Sequence, residues 1–242
     1  MKLRCIKADN PGRFTLDGTR TYLIGRRRTA IIDPGPNIES HVRALAQEAE
    51  GAEKVWILLT HGHSDHAGSG EQLAGLLDAE IVGVGLDMAR ALSPGESIHT
   101  DSGHLTMLAT PGHSKAHVTF HWIDAQAAFP GDVVLGLGDT TWVGEYAGCV
   151  ADYLDSLNRL RELECEVLYP THGPPIDDPP KTLDAFEEHR RSRIRQVSAV
   201  LSASPEATVS ELVETIYGLA LPEELRGATE KSIEATLDFL AS

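Results

Sequence analysis

The chain has 242 residues, 41% of them hydrophobic and 24% charged, and its 21 Lys+Arg against 36 Asp+Glu leave a formal charge of −15. Such a composition belongs to a globular chain with room for a large core and excludes a disordered or collagen-like one. The acidic balance disfavours nucleic acid as a partner unless a local basic stripe overrides it; the candidates are Arg26-Arg27-Arg28 and Arg190-Arg191-Arg193-Arg195, and runs of this kind usually form a solvated face.

Residues 21–24 and 29–33 are short β-rich runs ended by Gly25 and Pro34-Gly35, which predicts two strands. Residues 38–49 place Val42, Leu45, Ala46 and Ala49 at helical spacing, and 54–60 (KVWILLT) is a near-continuous apolar run of buried-strand length. A Gly-rich helix start follows over 68–77, then strand-like runs at 80–84, 105–109, 117–123, 126–129 and 132–135. Residues 150–163 form an amphipathic helix with Tyr153, Leu154, Leu157, Leu160 and Leu163 on one side, and 166–169 reads as a buried strand stopped by Pro170. Beyond the prolines of 174–180 the chain reads as helix over 181–202, 209–219 and about 229–240. The sum is an α/β layered architecture. Its connections are too short for a wholly parallel sheet, so a mixed sheet or sandwich is expected. Residues 1–178 form the main domain and 179–242 a helical appendage that must pack on something.

Cys5, Cys149 and Cys165 form no CxxC pair, which points to a reducing compartment rather than a disulfide scaffold. Lys2, Arg4, Lys7 and Asp9 leave no apolar stretch for a signal peptide, and no run reaches the roughly 20 apolar residues that cross a bilayer. A cytoplasmic protein without a membrane partner is expected.

The chemistry concentrates in Thr60-His61-Gly62-His63-Ser64-Asp65-His66, directly after a predicted buried strand. His61 and His63 are two apart and in extended backbone project to one side, where they grip one ion. Asp65 and His66 follow on the next turn and reach a second. A catalytic zinc takes three protein ligands and keeps one position open, so more ligands must come from elsewhere. Pro111-Gly112-His113, Pro130-Gly131-Asp132 and Thr171-His172-Gly173 each place a ligand residue beside glycine at a strand end. Any one of these alone is weak. Four ligand-type residues packed among glycines have no packing rationale, because buried polar groups are costly unless paired or metal-bound. His41 and His189 lie in predicted surface helices and read as inert; His117 reads as a structural histidine or as one that orients a ligand. There is no GxSxG, HExxH or GxxxxGK[ST] motif.

With these residues in place, the chain resembles the metallo-β-lactamase superfamily: HxHxDH, PGH, PGD and a final HG occur in order between residue 21 and about residue 175. The resemblance implies a four-layer αββα sandwich with two divalent metal ions at one edge of its sheets. It assigns His61, His63 and His113 to the first ion, Asp65, His66 and His172 to the second, and Asp132 to both. Asp33, in Ile31-Ile32-Asp33-Pro34-Gly35, matches an acidic position that supports the site from behind. His/Asp ligation suits Zn2+, and Mn2+ or Fe2+ as well. YPTHGPP followed by a helix containing Glu188-His189-Arg190 is similar to the β-lactamase-like protein 2 group, which has a winged-helix-like appendage and includes single-strand-specific endoribonucleases and thioesterases. The chain departs from that pattern by ending at Leu240-Ala241-Ser242, where a β-wing is expected.

The expected reaction is hydrolysis by a metal-bridging hydroxide, with Asp65 orienting it and no protein nucleophile. Three readings compete. The first is cleavage of a thioester, ester or lactone of a small metabolite, favoured by the net charge and the missing wing. The second is phosphodiester hydrolysis of single-stranded RNA, favoured by the arginines of 190–195. The third, a scaffold with a structural zinc, fits a seven-ligand set poorly. The appendage either shapes the pocket or forms a homodimer, and Leu212, Val213, Ile216 and Tyr217 suit both.

Overall fold

The structure, a computed structural model, describes residues 3–85, 87, 89–218 and 221–242. One sheet holds β1 (Leu3–Lys7), β2 (Arg20–Ile24), β3 (Arg28–Ile32), β4 (Lys54–Leu58), β5 (Glu80–Gly83) and β6 (Arg90–Ala91), in that spatial order. Its first three strands are antiparallel and β3 to β6 run parallel. The second sheet holds β7 (Ser97–Thr100), β8 (Gly103–Ala109), β9 (Val118–Trp122), β10 (Ala127–Phe129) and β11 (Val167–Leu168), antiparallel except for the β10–β11 pair.

Strand alternation builds the layers. On β3, Ala30 and Ile32 face the space between the sheets with Trp56, Leu58, Met107, Phe120 and Phe129. Ile31 faces outward with Leu23 and Ile57, onto Val42 and Leu45 of α1 (Glu39–Glu48) and Leu73 of α3 (Gly70–Leu77). A strand covered on both faces reads as a continuous apolar run, which is the pattern of residues 55–59. The outer face of the second sheet packs Ala128 and Leu168 against Tyr153, Leu157 and Leu160 of α4 (Cys149–Glu162). Helix, sheet, sheet, helix is the αββα order expected from the sequence.

Three helices follow: α5 (Pro179–Ala203), α6 (Val209–Tyr217) and α7 (Glu223–Ala241). The Asp178 side chain caps α5 by accepting from the Lys181 N–H, and Thr208 and Glu211 form a capping box on α6. Leu183 and Phe186 of α5 and Ala235 of α7 join the α4 core, so these helices pack directly on the sandwich. Val197, Leu212, Val213 and Ile233 are buried in a second small core, with Ile216 and Tyr217 half-buried against it. No strand follows β11 among the described residues.

Three differences from the sequence reading stand out. Residues 132–135 are not a strand: Pro130 has no N–H to give a ladder, Gly131 turns at φ +51°, and the Val133 N–H closes the turn onto the Pro130 carbonyl. Val133 and Val134 are buried by α4 instead. Helix α7 starts at Glu223, beside Pro222, earlier than expected. The end of the predicted 209–219 helix, Leu219, lies outside the described residues. Strands β1, β6 and β7 went unread because half-exposed edge strands carry polar residues and lack a clean alternation.

Candidate metal centre

Every ligand-type residue of the predicted set arrives at one edge of the sandwich, from loops at strand ends. His61 and His63 follow β4. Asp65 and His66 ride on the single-turn helix α2 (Ser64–Ala67), while His113 follows β8, Asp132 follows β10 and His172 follows β11. The donor atoms form three groups: His61, His63 and His113; His61, His66 and Asp132; Asp65, His66 and His172.

The spacing suits metal ions. Nδ1 of His63 lies 3.0 Å from Nε2 of His61 and 3.1 Å from Nε2 of His113. His172 Nε2 is 3.1 Å from Asp65 Oδ2, and Asp132 oxygens are 3.4 Å from His66 Nε2, 3.7 Å from His113 Nε2 and 3.6 Å from His172 Nε2. Two donors on one tetrahedral ion at 2.0–2.2 Å are about 3.3–3.6 Å apart, so the observed edges bracket that value. Asp132 stands between the two histidine groups.

The tautomers agree. His66 donates Nδ1–H to Asp33 Oδ2 at 2.9 Å, His113 donates Nδ1–H to the Trp142 carbonyl at 2.9 Å, and His61 Nδ1 meets Thr60 Oγ1 at 3.1 Å. Each of these rings is thereby left with a bare Nε2 lone pair aimed into the centre. His63 is turned the other way, with Nδ1 inward and Nε2 3.7 Å from Glu145. His66 Nε2 and Asp132 Oδ1 are buried and have no hydrogen-bond partner, a costly state that a cation relieves.

Electrostatics points the same way. Burial holds His61 and His117 well below the usual imidazole range, and burial also lowers His113 although Asp132 opposes it. Burial would raise Asp132, but His66, His172 and His113 outweigh it and keep the carboxyl well below its ordinary value. Asp65 behaves alike: burial pushes up, the His172 hydrogen bond and His66 push further down. Burial opposes a proton on His66, yet Asp132 and Asp33 raise it well above the ordinary value, as they would raise affinity for any cation there. The lowered imidazoles of His61 and His113 beside the ionised carboxylates of Asp65 and Asp132 make a cation site.

Behind the ligands, Asp33 is fully buried at φ +47°. Its Oδ1 accepts the Thr60 N–H at 2.8 Å; its Oδ2 accepts Thr60 Oγ1 at 2.7 Å, Thr171 Oγ1 at 2.9 Å and His66. One carboxylate thus pins the loops after β4 and β11 together with α2. His117 accepts the Asp132 backbone N–H on Nε2 at 3.2 Å, while its Nδ1 meets Thr110 Oγ1 at 3.1 Å, so it both fills a structural place and orients Asp132. Gly131 permits that approach, since a Cβ there would lie 2.6 Å from His117 Nε2 and 2.7 Å from Thr60 Oγ1.

The surface placement expected for His41 fails. His41 is buried and its Nε2 meets Thr21 Oγ1 at 3.0 Å, which in turn donates to the Asp33 carbonyl; α1 turns that residue inward. His189 lies 3.3 Å from Asp139 and lines a cavity of about 670 Å³ that opens onto His63, Asp65, His113 and Asp132. The solvated reading of the arginines at 190–195 fails at Arg190, which is 4% exposed and lines the same cavity. No periodic signal marked Thr60, Thr171, Trp142 or Glu145; only their places next to strand ends and loops near the ligands hinted at a role.

The sequence model of the metallo-beta-lactamase superfamily matches residues 14–97 and 84–172. The chain belongs to that superfamily. It is 34% identical over 98% of its length, and 79% of the relative's, to the lactamase-like protein adaB of Aspergillus niger. It is 30% identical to the beta-lactamase-like protein 2 homolog of Caenorhabditis elegans (88% and 75% covered) and 33% identical to the atrochrysone carboxyl ACP thioesterase of Passalora fulva (98% and 74%). The fold matches a metallo-beta-lactamase family protein from Thermus thermophilus, TTHA1429, with a TM-score of 0.82 at 20% identity, covering 99% of this chain and 93% of that one. TTHA1623, solved in a di-iron-bound form, matches at 26% identity and a TM-score of 0.56, over 72% of this chain and 94% of that one. This superfamily member is a metal-dependent hydrolase with His/Asp groups suited to metal, and no helix among the described residues is long and apolar enough to cross a membrane.

Proposed function

We propose that the chain is a binuclear hydrolase that cleaves a thioester, ester or lactone of a small metabolite, with residues 1–178 as catalytic domain and 179–242 as the wall of its substrate cavity. His61, His63 and His113 would hold the first ion, Asp65, His66 and His172 the second, with Asp132 between them. Zn2+ is the preferred occupant and Mn2+ or Fe2+ the alternatives. A pair of such ions supplies a hydroxide-level nucleophile near neutral pH and polarises the substrate oxygen.

The chain's own residues do the rest. Asp65 accepts a hydrogen bond from the attacking water and fixes its direction. Asp33 and the Trp142 carbonyl hold the Nδ1 protons of His66 and His113, so that neither ring rotates or changes tautomer. Phe14, Leu135, Leu137, Trp142 and Leu225 give the cavity apolar walls that exclude bulk water.

The observation that carries the reading is that cavity. Its volume of about 670 Å³ is that of a small-ligand site, and α5 and α7 wall it off. The thioesterase name of relatives 33–34% identical over 98% of the chain supports an acyl bond as its target. The free thiols of Cys5, Cys149 and Cys165 support a reducing, cytoplasmic setting.

The RNA reading has less to stand on. Arg190 is buried, Arg191 is paired with Glu187 and Arg195 with Glu188, so no continuous basic groove runs along α5. The test is turnover by metal-loaded protein on acyl-thioesters, aryl esters and lactones beside a labelled single-stranded RNA, each across a salt titration, with His61→Ala and Asp65→Ala as controls. Metal-dependent acyl cleavage indifferent to salt is the expected result. RNA cleavage that collapses with added salt overturns it.

A further inference from the structure

Helix α5 presents two different arginine faces. Arg191 and Arg195 are exposed and paired with Glu187 and Glu188. Arg190 and Arg193, three residues apart and therefore neighbours on the helix surface, line the cavity beside the metal centre, and neither forms an ion pair among the described residues. Arg13 also lines this cavity, and in a chain with 36 acidic residues three guanidinium groups without an ion pair among the described residues are unexpected there.

Arg190 is the more telling. It is 4% exposed, its Nε is buried without any hydrogen-bond partner, its guanidinium lies over the Tyr153 ring at 5.8 Å from the centroid, and its hydrogen bonds are long: Nη1 to Ser232 Oγ at 3.3 Å and Nη2 to the Thr141 carbonyl at 3.5 Å. A buried, always-charged group held this loosely is a cost unless a negative charge joins it. Arg193 lies over the Tyr217 ring, 4.0 Å from its centroid, and donates Nη1 to Gln196, which holds its guanidinium in place. Ser232 belongs to α7 and Thr141 also touches His113, at 3.5 Å, so Arg190 stands one residue away from the metal cluster. The acidic side chains of the cavity lining, Asp65 and Asp132, belong to the candidate metal centre, and His189, beside Arg190 on α5, pairs with Asp139.

We propose that Arg190 and Arg193 form an anion subsite that receives a carboxylate or phosphate group of the substrate while its scissile carbonyl sits at the metal centre. This deepens the acyl-hydrolase reading and rests on it for the identity of the substrate: an acyl compound carrying a negative group on its acyl or its thiol side. The guanidinium fork suits both anions, and its place near His113 sets the reacting bond a short chain away from the charge.

Two measurements test it. The first compares kcat/KM for three thioesters: a dicarboxylic acid monothioester of N-acetylcysteamine, its neutral methyl-capped counterpart, and the same neutral acyl group on coenzyme A. The expected preference for one of the charged compounds over the neutral one is about tenfold to a hundredfold. Which one is preferred identifies the anion as acyl carboxylate or thiol-side phosphate. Arg193→Gln and Arg190→Gln shrink that ratio towards one, whereas Arg191→Gln, on the paired face, leaves the ratio as it is. Equal rates on all three overturn the subsite.

The second measurement is calorimetric titration of the metal-loaded protein with glutarate, with glutaramate and with inorganic phosphate. Weaker binding of the anions to Arg193→Gln than to wild type supports the subsite, and unchanged binding overturns it. This readout needs no turnover, so failure of every thioester defeats the thioesterase form of the acyl-hydrolase reading while the subsite is still decided by titration. Arg190→Gln is interpreted only if its melting curve is cooperative; Arg193, half-buried, carries the test otherwise.

Discussion

Asp33→Asn separates support of the metal centre from ligation itself. The substitution keeps size and shape, and asparagine tolerates the φ of +47° at this position, so the backbone is not the variable. What changes is the polarity of one atom. Oδ2 now accepts from Thr60 Oγ1, Thr171 Oγ1 and His66 Nδ1. With the amide oxygen kept on the Thr60 N–H, the amide nitrogen meets those three groups. The two hydroxyls rotate and become acceptors at small cost. The imidazole has no such freedom: to accept on Nδ1 it must move its proton to Nε2, the nitrogen that faces the metal. Loss of an orienting partner behind a metal ligand costs about 10–100-fold in affinity. That loss falls first on the ion that Asp65, His66 and His172 would hold, and reaches the one that His61, His63 and His113 would hold only through Thr60 Oγ1. Competition against a chromophoric chelator, resolving two binding steps, is the assay. Asp33→Ala is the harsher comparison. It orphans the Thr60 N–H and the His66 Nδ1–H in a fully buried place, about 1–3 kcal/mol each, and lowers stability in addition to affinity. A folded Asp33→Asn protein that binds both ions as wild type does would falsify the tautomer argument.

Removing metal lowers the melting temperature: each ion at about 1,000 times its Kd stabilises by about 4 kcal/mol, which for a chain of this size is about 8–16 °C per ion. A chelator-treated sample that melts where the loaded one does refutes the placement of ions in the native core. In the metal-free protein, His61, His113 and His117 are held below the ordinary value of 6.5 mainly by burial, so the unfolded chain binds more protons than the folded one as pH falls through that value. Stability is then lost on acidification below about 6.5; His66, raised by Asp132 and Asp33 against burial, contributes its stability in full by that pH and does not offset the further loss. Above 6.5 the raised His66 adds stability as pH falls, so the window that checks the sign is pH 6.5 to 5.5: scanning calorimetry there is expected to show a falling melting temperature, and a rise over that window contradicts it. Gly131→Ala drives a methyl into His117 and Thr60 at a φ of +51° and displaces Asp132, so turnover falls by at least tenfold while far-ultraviolet circular dichroism stays native. Wild-type turnover in this variant removes the argument for close approach.

The legible part of this protein was the part in which several ligand-type residues share one short loop. His61, His63, Asp65 and His66 announce themselves because nothing in packing explains them together, and the strand before them locates the sheet edge. His113, Asp132 and His172 are single residues whose meaning came from their order along the chain. The supporting groups were less visible for a physical reason. Thr60 and Thr171 act through one hydroxyl each, Trp142 acts through its backbone carbonyl, and no sequence pattern marks a carbonyl for use. His41 was misread because helical periodicity sets its face only loosely: Val42 and Leu45 define the buried stripe, and position 41 lies at its margin, near enough to reach Thr21. The 132–135 strand was misread because Val133, Val134 and Leu135 have β composition, while Pro130 and Gly131 deny them a partner strand.

The helical appendage joins the metal centre through one residue. The Trp142 carbonyl takes the Nδ1 proton of His113, and the indole Nε1–H of the same residue donates to the Ala228 carbonyl of α7 at 2.9 Å. The neighbouring Thr141 carbonyl meets Arg190 of α5. The segment that orients a metal ligand is therefore held from its other side by the two helices that wall the cavity. A substrate pressing on α5 or α7 presses on the support of His113. The helices thus brace the segment behind His113 although none of their side chains stands among the ligand groups of the described residues.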